Sequence, residues 1–184
     1  MEYKKINIIL GRFQPFTRGH LKMIENGFRE NGLPTVILQI SNVKFDKSHP
    51  FSNETTKNEI SNIINNVGNK LICDHFYISN ASIEKIANIC HDNGYEPVLW
   101  VTGTDRFIAY SKQADNEKYK TDNCLLNEFK CLEVKRTDDD ISATKVREAI
   151  FNDDIETYYK LMPECVSGDK ELYENLKNEL LKIN

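Results

Sequence analysis

Apolar residues along this chain recur at two alternating spacings, which predict strands and helices in turn. A short β-branched run predicts a first strand at Ile6–Leu10, and four more strands are predicted at Thr35–Ile40, Leu71–Ile78, Pro97–Val101 and Lys130–Lys135. Between the first four predicted strands, apolar residues recur every three or four positions, in stripes that begin at Leu21, Ile60 and Ile83. That spacing is typical of a helix with one face packed on a core.

Strands that alternate with helices predict βαβ units, and therefore an α/β fold with a doubly wound, parallel, five-stranded sheet. A helical pattern also fills the C-terminal part, where Leu172, Leu176, Leu180 and Ile183 share one side of a helix. That helix either packs on the domain or joins subunits of a homo-oligomer. No repeat or linker divides the chain, so we expect a single domain over residues 1–184, with its core in 1–150 and a helical part in 151–184.

Ligands of doubly wound sheets bind beyond the carboxyl ends of the strands. We therefore expect functional residues in the segments that follow four of the strands. These segments begin at Gly11, Ser41, Thr102 and Arg136. The polar stretch from Lys112 to Thr121 does not directly follow a predicted strand. We expect an exposed loop or helix end there.

Charge narrows the classes of ligand. The chain has 184 residues and a formal net charge of −4, which argues against a broad surface for nucleic acid or anionic membranes. Any phosphate-binding site must therefore be local. Lysine outnumbers arginine by 18 to 6. Because arginine offers a planar bidentate fork that lysine lacks, the position of each arginine is informative.

Cysteine and histidine spacing predicts no metal centre built by the protein. The five cysteines are widely spaced and form no CxxC pair, which favours neither a disulfide framework nor a zinc site. The acidic run Asp138–Asp140 is more typical of a solvated loop than of a metal site. The N-terminal apolar run is too short for a signal peptide, and no segment has the roughly 20 apolar residues of a membrane span. We expect a cytoplasmic protein that does not bind membranes.

The segment after the first predicted strand is the first candidate for chemistry, with the sequence GRFQPFTRGH from Gly11 to His20. Gly11 permits a tight exit from the strand, and Gly19 removes a side chain near the start of the helix. Thr17 and His20 stand three residues apart where the helix begins, so both can face one anion at the positive end of the helix dipole. For His20 alone, a packing role is the simpler explanation, but its neighbours at fixed offsets favour phosphate binding.

The segment ISATKVR, from Ile141 to Arg147, is the second candidate. Ser142 is predicted to cap a helix, and the hydroxyls of Ser142 and Thr144 join the first amides at another anion-binding end. Arg147 lies one turn further and can reach a polyphosphate with both arms of its fork. A capped helix with basic surface residues explains this segment equally well when it is considered alone.

Together, the two segments resemble the nucleotidylyltransferase superfamily, whose members carry an [H/T]xGH motif early and an ISxTxxR motif late. Here these motifs are Thr17–His20 and Ile141–Arg147, and the GRFQPF opening is most similar to archaeal-type nicotinamide mononucleotide adenylyltransferases. The resemblance extends from Ile6 to about Ile150. The first histidine of the family motif is replaced by Thr17, as in phosphopantetheine adenylyltransferases.

The resemblance implies a Rossmann-like fold and transfer of a nucleotidyl group from a nucleoside triphosphate to a phosphorylated acceptor, with pyrophosphate as the leaving group. It also implies Mg²⁺, held mainly by the ATP phosphates. His20, Thr17 and Arg147 are then the catalytic residues, with His20 stabilising charge on the α-phosphate. The other ATP-binding residues that the resemblance implies are Gly11, Arg12, Phe13, Gly19, Ser142, Thr144, Gly103 and Asp105.

Two further segments concern the acceptor. The polar segment from Ser41 to Ser52 resembles the acceptor loop of the family, and Lys44 is its candidate for the acceptor phosphate; a solvated surface lysine is the alternative. The segment after the fourth strand resembles a G-[ST]-D sequence near the nucleotide, which gives Arg106 a role in acceptor binding. Trp100 is expected to stack on an acceptor ring, although a lone tryptophan at a strand end is more often part of the core.

The leading expectation is an adenylyltransferase that joins ATP and nicotinamide mononucleotide to form NAD and pyrophosphate, by direct in-line attack on the α-phosphate. Two alternatives stay open. The same chemistry can act on another phosphorylated acceptor, such as phosphopantetheine or a sugar or alcohol phosphate. The chain can also be a nucleotide-sensing module without catalysis.

Overall fold

A parallel five-stranded sheet forms the centre of the computed structural model, which describes residues 3–116, 126, 128–135 and 141–183. The strands are β1 (Lys4–Gly11), β2 (Thr35–Ile40), β3 (Ile72–Ile78), β4 (Tyr95–Gly103) and β5 (Lys130–Val134). Their order in the sheet is β3-β2-β1-β4-β5, and every pairing is parallel. The predicted doubly wound sheet is confirmed, and the predicted strand ends agree with the structure to within two residues.

Eight helices are described: α1 (Arg18–Asn31), α2 (Asn53–Val67), α3 (Ile83–Asp92), α4 (Thr104–Ala114), α5 (Ala143–Phe151), α6 (Ile155–Leu161), α7 (Glu164–Ser167) and α8 (Lys170–Leu181). The sequence analysis does not predict α4, in which Ala114 is the only buried residue. Lys112 lies in the last turn of α4, as expected for a helix end, whereas residues 117–121 lie outside the described part.

Alternate residues of the strands face two separate cores. Ile9 of β1 packs in the core that also contains residues of α1, α2, α5, α6 and α8. Its neighbour Ile8 faces the opposite core, which contains residues of α3 and Ala114 of α4. Both faces of the sheet are therefore covered by helices, which is why its central strands are continuously apolar.

The strand order reverses between β1 and β4. The chain first runs outward from β1 to β3 and then returns through α3 to β4, on the other side of β1. At such a switch point the loops that leave the two neighbouring strands diverge and leave a crevice at the carboxyl ends. The loop after β1 and the start of α4 after β4 border this crevice.

Helix α1 lies unusually close to β4 because of Gly27. A Cβ atom at this position would lie only 2.7 Å from Val101 Cγ2, which is shorter than any ordinary contact. The far end of α1 is fixed by a pair of side-chain amides. The Asn7 and Asn31 side chains exchange hydrogen bonds of 3.0 and 2.8 Å, with Asn7 fully buried in β1. Close packing and the amide pair together set the position of α1, and with it the position of Thr17 and His20 at its start.

The C-terminal helix α8 packs on the same chain. Leu172, Leu176 and Leu180 are all buried, and α8 contacts α5 and α2. Of the two roles that their spacing allows, packing on the domain or joining subunits, these leucines have the first. Arg18 at the start of α1 forms an ion pair of 3.0 Å with Glu164 of α7 and so also connects the C-terminal helices to the sheet domain. None of the described helices is long and apolar enough to cross a lipid bilayer.

Candidate active site

The imidazole of His20 is held by Thr17 at the start of α1. Thr17 is the residue before the first helical position, and its backbone N–H donates a hydrogen bond to His20 Nδ1 at 2.9 Å. The Thr17 hydroxyl lies 3.1 Å from the same nitrogen. Because a backbone N–H can only donate, Nδ1 must accept, and the proton of the neutral imidazole is then on Nε2. The fold therefore presents His20 as a hydrogen-bond donor through Nε2.

Two aromatic rings support the His20 imidazole. The Phe13 ring meets it edge to face with 5.0 Å between centroids, and the Phe16 ring lies at 5.2 Å; both phenylalanines are buried. Phe13 has a φ of 49°, a left-handed conformation that residues other than glycine rarely adopt. A Cβ atom on Gly11 would lie 3.1 Å from the Phe13 ring. Gly11 thus makes room for Phe13, which in turn packs against His20.

Gly19 brings the two signature segments into contact. A Cβ atom at Gly19 would lie 3.3 Å from the Ile141 carbonyl oxygen and 3.4 Å from Thr17 Oγ1. The sequence suggests that Gly19 leaves space for a ligand. The structure adds a reason within the protein, because the start of α1 approaches the segment before α5 closely at this residue.

The second signature segment begins α5 as expected. The Ser142 side chain accepts a hydrogen bond of 3.2 Å from the Lys145 backbone N–H, so Ser142 is the predicted N-cap. Arg147 Nη2 donates to Thr144 Oγ1 at 3.1 Å, and Arg147 Nη1 donates to the Gln14 carbonyl oxygen at 2.6 Å. Arg147 is half-buried, and this desolvation lowers the pKa of its guanidinium. The fork of Arg147 therefore joins the second segment to the first.

Residues of both segments line one open cavity of about 410 Å³ at the carboxyl ends of β1, β4 and β5. The predicted site residues that line it are Thr17, Gly19, His20, Gly103, Asp105, Arg106, Ser142 and Thr144. Its apolar lining comes from Leu10, Met23, Val101, Val134 and Ile141. Two helix N-termini beside an apolar wall fit a nucleotide, whose phosphates favour the helix ends and whose base favours apolar surface.

The cavity is locally cationic although the chain is acidic. Lys22, Arg106 and Lys135 line it, and Asp105 is its one acidic residue among those that the structure describes. Gly103 is the N-cap of α4, so Asp105 and Arg106 lie in the first turn of that helix. Arg106 Nε lies 3.9 Å from Asp105 Oδ2, and both side chains are largely exposed. An excess of cations at this place suits a polyphosphate ligand.

Six of the predicted residues do not line the cavity. Trp100 is fully buried and stacks on Tyr110, with centroids 4.0 Å apart, and on Phe129. The prediction that Trp100 stacks on an acceptor ring is therefore wrong, because the indole belongs to the core. Arg12 and Lys44 are exposed and do not line the cavity. Gly11, Phe13 and Arg147 do not line it either, and their contacts place them behind His20 and Thr144.

The segment from Ser41 to Ser52, which we call the acceptor loop, is joined to the first signature segment by Gln14. The buried Gln14 amide donates to the Phe51 carbonyl oxygen at 3.1 Å and accepts from the Phe51 N–H at 2.8 Å. The Asn42 side chain also donates to the Phe51 carbonyl oxygen, at 3.0 Å. Asp46 of this loop is near enough to Arg147 to favour its charged form. The acceptor loop therefore lies beside both signature segments.

Several cavity-lining residues were not singled out by the sequence analysis, and four of them lie on α1 and α4. Lys22, Met23 and Asn26 lie on α1, and Tyr110 lies on α4. A signal for the first three exists, because they follow Gly19 and His20 at the spacing of one helix face. No comparable signal marks Tyr110, since α4 itself is not predicted.

No group of three or more His, Cys, Asp or Glu side chains in the described part of the chain is arranged to hold a metal ion. The acidic run Asp138–Asp140 and Arg136 lie outside the described residues. In the cavity, the side-chain oxygens belong to the Asp105 carboxylate, the Asn26 amide, the Tyr110 phenol and the hydroxyls of Thr17, Thr102, Ser142 and Thr144. Such a donor set suits Mg²⁺ that is bound chiefly by substrate phosphates, and does not suit a metal cage built by the protein alone.

Solved structures with the same fold bind nucleotides. A bifunctional NMN adenylyltransferase/ADP ribose pyrophosphatase from Francisella tularensis matches with a TM-score of 0.61 and 19% identity, over 96% of this chain and 53% of that one. This chain thus spans about half the length of that protein. Plasmodium falciparum nicotinic acid mononucleotide adenylyltransferase complexed with APC matches with a TM-score of 0.60 and 17% identity, over 99% of both chains.

A third structure, Thermotoga maritima TmcAL bound with alpha-thio ATP, matches with a TM-score of 0.58 and 11% identity, over 97% of this chain and 56% of that one. At such identities the structural matches support the fold. No curated protein sequence matches the chain significantly. The sequence itself matches the model of the cytidylyltransferase-like family over residues 8–149, which is well over half of the chain. This protein therefore belongs to the cytidylyltransferase-like family and is a nucleotidyltransferase.

Proposed function

We propose that the protein is an adenylyltransferase that joins ATP and nicotinamide mononucleotide to form NAD and pyrophosphate. The observation that carries the proposal is the arrangement around His20. Its Nε2–H donor, the N-termini of α1 and α5, and the hydroxyls of Ser142 and Thr144 meet at one cationic cavity. A triphosphate is the ligand that this set of donors suits best.

The proposed reaction is an in-line displacement at the α-phosphorus. An oxygen of the acceptor phosphate forms the new P–O bond, the bond to the oxygen that bridges to the β-phosphate breaks, and pyrophosphate leaves. His20 donates through Nε2 to a non-bridging oxygen of the α-phosphate as negative charge builds up there. By analogy with donors in oxyanion sites, one such preorganised donor contributes about 2.7–4 kcal/mol. Ser142 and Thr144 hold the pyrophosphate portion in line, and Arg147 keeps Thr144 in place from behind through its Nη2 hydrogen bond.

Mg²⁺ belongs to this proposal as a companion of ATP. The triphosphate would supply most of its ligands, and the Asp105 carboxylate, which lines the cavity, would join them. The bound ion would neutralise charge on the phosphates. The protein's own contribution is to hold the phosphates at the two helix N-termini, with Lys22 and Arg106 as further cations.

The choice of acceptor is supported by the resemblance of the GRFQPF segment and by two of the structural matches. One is described as an NMN adenylyltransferase, and the other as a nicotinic acid mononucleotide adenylyltransferase. In this chain, Arg106 at the cavity and Lys44 on the exposed acceptor loop are the candidate cations for the acceptor phosphate. Arg106 is the stronger of the two, because it already lines the cavity.

The proposal is tested by incubating the protein with ATP, Mg²⁺ and one acceptor at a time. The acceptor panel contains nicotinamide mononucleotide, nicotinic acid mononucleotide, phosphopantetheine and a sugar phosphate. We expect NAD and pyrophosphate in equal amounts with the first acceptor. Pyrophosphate release with phosphopantetheine or the sugar phosphate alone would keep the chemistry and refute the acceptor. ATP binding without pyrophosphate release from any acceptor would instead indicate a sensing module.

A further inference from the structure

A carboxylate from the C-terminal helix holds the N-terminus of α2. Glu179 of α8 accepts three hydrogen bonds there: from the Ser52 backbone N–H at 2.8 Å, from the Ser52 hydroxyl at 2.9 Å and from the Thr55 hydroxyl at 2.7 Å. Both carboxylate oxygens are used. A carboxylate at the positive end of a helix is favourable, and hydrogen bonds to a charged group are stronger than neutral ones.

This contact also fixes the end of the acceptor loop, because Ser52 is both the N-cap of α2 and the last residue of that loop. The preceding residue, Phe51, is held by Gln14 through two hydrogen bonds of 2.8 and 3.1 Å. Glu179 and Gln14 therefore hold adjacent residues of the chain from opposite sides, one from α8 and one from the first signature segment.

The start of the acceptor loop is held by a different pair. Asn42 and Asn53 exchange hydrogen bonds between backbone and side chain, at 2.7 and 3.1 Å. Between these ends, Val43 keeps 89% of its surface in solvent, and the Asn42 side chain donates across the loop to the His49 carbonyl oxygen at 2.9 Å. The contacts at its two ends attach the loop to the rest of the protein, and Glu179 supplies one of them.

We propose that Glu179 is a positioning residue, which keeps the acceptor loop in place for the acceptor and has little influence on ATP. This inference rests on the proposed function, since it assigns the loop to acceptor binding. The ATP side of the cavity is held by other bonds, which are the Thr17–His20 bond and the fork of Arg147 on the Gln14 carbonyl oxygen and Thr144. None of these three bonds involves Glu179.

Glu179→Ala removes all three acceptors and leaves the Ser52 N–H without its partner. Glu179→Gln retains one oxygen for the Ser52 N–H, and its amide can donate to the two hydroxyls, which rotate to accept. The glutamine variant therefore keeps the geometry and loses the charge. Glu174→Ala is the matched control, because Glu174 is an exposed glutamate of the same helix.

Steady-state kinetics with ATP and nicotinamide mononucleotide distinguish positioning from general stability. For Glu179→Ala we expect the KM for the acceptor to rise about tenfold, which corresponds to ~1.4 kcal/mol, and the KM for ATP to stay within about twofold. Glu179→Gln and Glu174→Ala are expected to resemble the wild type. Equal changes in both KM values, or an unchanged acceptor KM in a folded Glu179→Ala protein, would overturn the proposal.

Amide hydrogen exchange provides a readout that needs no turnover. We expect Glu179→Ala to speed exchange at residues 42–55 and to leave the start of α1 unchanged. If Glu179→Ala does not fold, Thr55→Val removes one of the three bonds and is expected to give a smaller effect in the same direction. Faster exchange in a protein that transfers no nucleotide would refute the proposed function but leave the restraint on the loop intact. Unchanged exchange in both variants would refute the restraint itself.

Discussion

Arg147 bridges the two signature segments, with Nη1 bound to the Gln14 carbonyl oxygen at 2.6 Å and Nη2 bound to Thr144 Oγ1 at 3.1 Å. Gln14 and Arg147 are 133 residues apart in the chain. A guanidinium makes both bonds at once because its donors diverge in one plane. The role of residue 147 therefore depends on the shape of the arginine side chain as well as on its charge.

We expect Arg147→Lys to raise the KM for ATP by about 10- to 100-fold, because an ammonium group cannot span both acceptors and a hydrogen bond to a charged group is worth roughly 1.5–3 kcal/mol. Steady-state kinetics with varied ATP check the value. Arg29→Lys, on the exposed side of α1, is the control and should change nothing. An unaffected ATP KM in Arg147→Lys would mean that charge alone suffices.

We expect His20→Ala to lower kcat by about 10²–10³, as the loss of one preorganised donor does, with a much smaller effect on the dissociation constant for ATP. Calorimetric titration with ATP gives the dissociation constant, and pyrophosphate release gives kcat. His91→Ala, at an exposed histidine of α3, controls for the substitution itself. Parallel loss of binding and turnover would mean that His20 only binds ATP.

Gly27→Ala is expected to destabilise the protein although alanine is the better helix former. The added Cβ would lie 2.7 Å from Val101 Cγ2, so α1 must move away from β4. Overpacking of a core costs about 1–3 kcal/mol. Over nearly all of that range, the cost exceeds the gain of about 1 kcal/mol in helix propensity. Urea unfolding measures the net loss. Gly168→Ala, where a Cβ meets nothing within 4 Å, should be nearly neutral. A Gly27→Ala protein as stable as the wild type would mean that moving the helix costs no more than the gain in helix propensity.

Glu59 makes stability depend on pH. It is fully buried below the first signature segment, where Oε2 accepts a hydrogen bond from the Phe16 N–H at 3.2 Å. Burial raises the pKa of Glu59 well above its ordinary value of 4.5, although the Phe16 bond acts in the opposite direction. The folded state then keeps a proton that the unfolded chain loses, so the free energy of unfolding falls as pH rises above that ordinary value.

Glu59→Gln removes this dependence because glutamine is neutral at every pH. We expect the variant to be more stable than the wild type at about pH 8, by at least ~1 kcal/mol, and the difference to disappear at about pH 4. Guanidinium unfolding at the two pH values gives both numbers. Glu54→Gln, an exposed position in the same helix, should show no such trend. A constant difference between Glu59→Gln and wild type at both pH values would contradict a protonated Glu59.

The sheet was predictable from the sequence because the signals for its strands are local. Short runs with apolar residues marked the strands, and Gly11 and Pro97 stand near strand ends that the pattern locates to within two residues. Helix α4 was not predicted, since it buries only Ala114 and its other apolar residues are half-buried or exposed. The position of α4 is set by β4, the strand that it directly follows. That position is therefore a property of the sheet and not of the residues of α4.

The site was predictable where a residue acts through its place at a helix start. Thr17, His20, Ser142 and Thr144 all have this local signal, and all line the cavity. Contacts between residues that are distant in the chain have no such local pattern in the sequence. Trp100 looks like a ligand-facing ring at the end of a strand until Tyr110 and Phe129 are seen to enclose it.

Glu179 is the clearest case of a distant contact, because it lies 127 residues from Ser52. Within its own helix it appears as one of several surface glutamates. Only the packing of α8 against α2 gives its carboxylate a partner, and spacing along a single sequence does not contain that information.

The rings of Phe13 and Phe16 give the site a spectroscopic signal of its own. With centroids at 5.0 and 5.2 Å, both lie close enough to shift the NMR resonances of the His20 ring protons by their ring currents. The chain has only four histidines, so these resonances are readily assigned by substitution. Any change in the loop that holds Phe13 when a nucleotide binds would move the His20 signals, and the occupancy and geometry of the cavity are thereby observable in solution without a label.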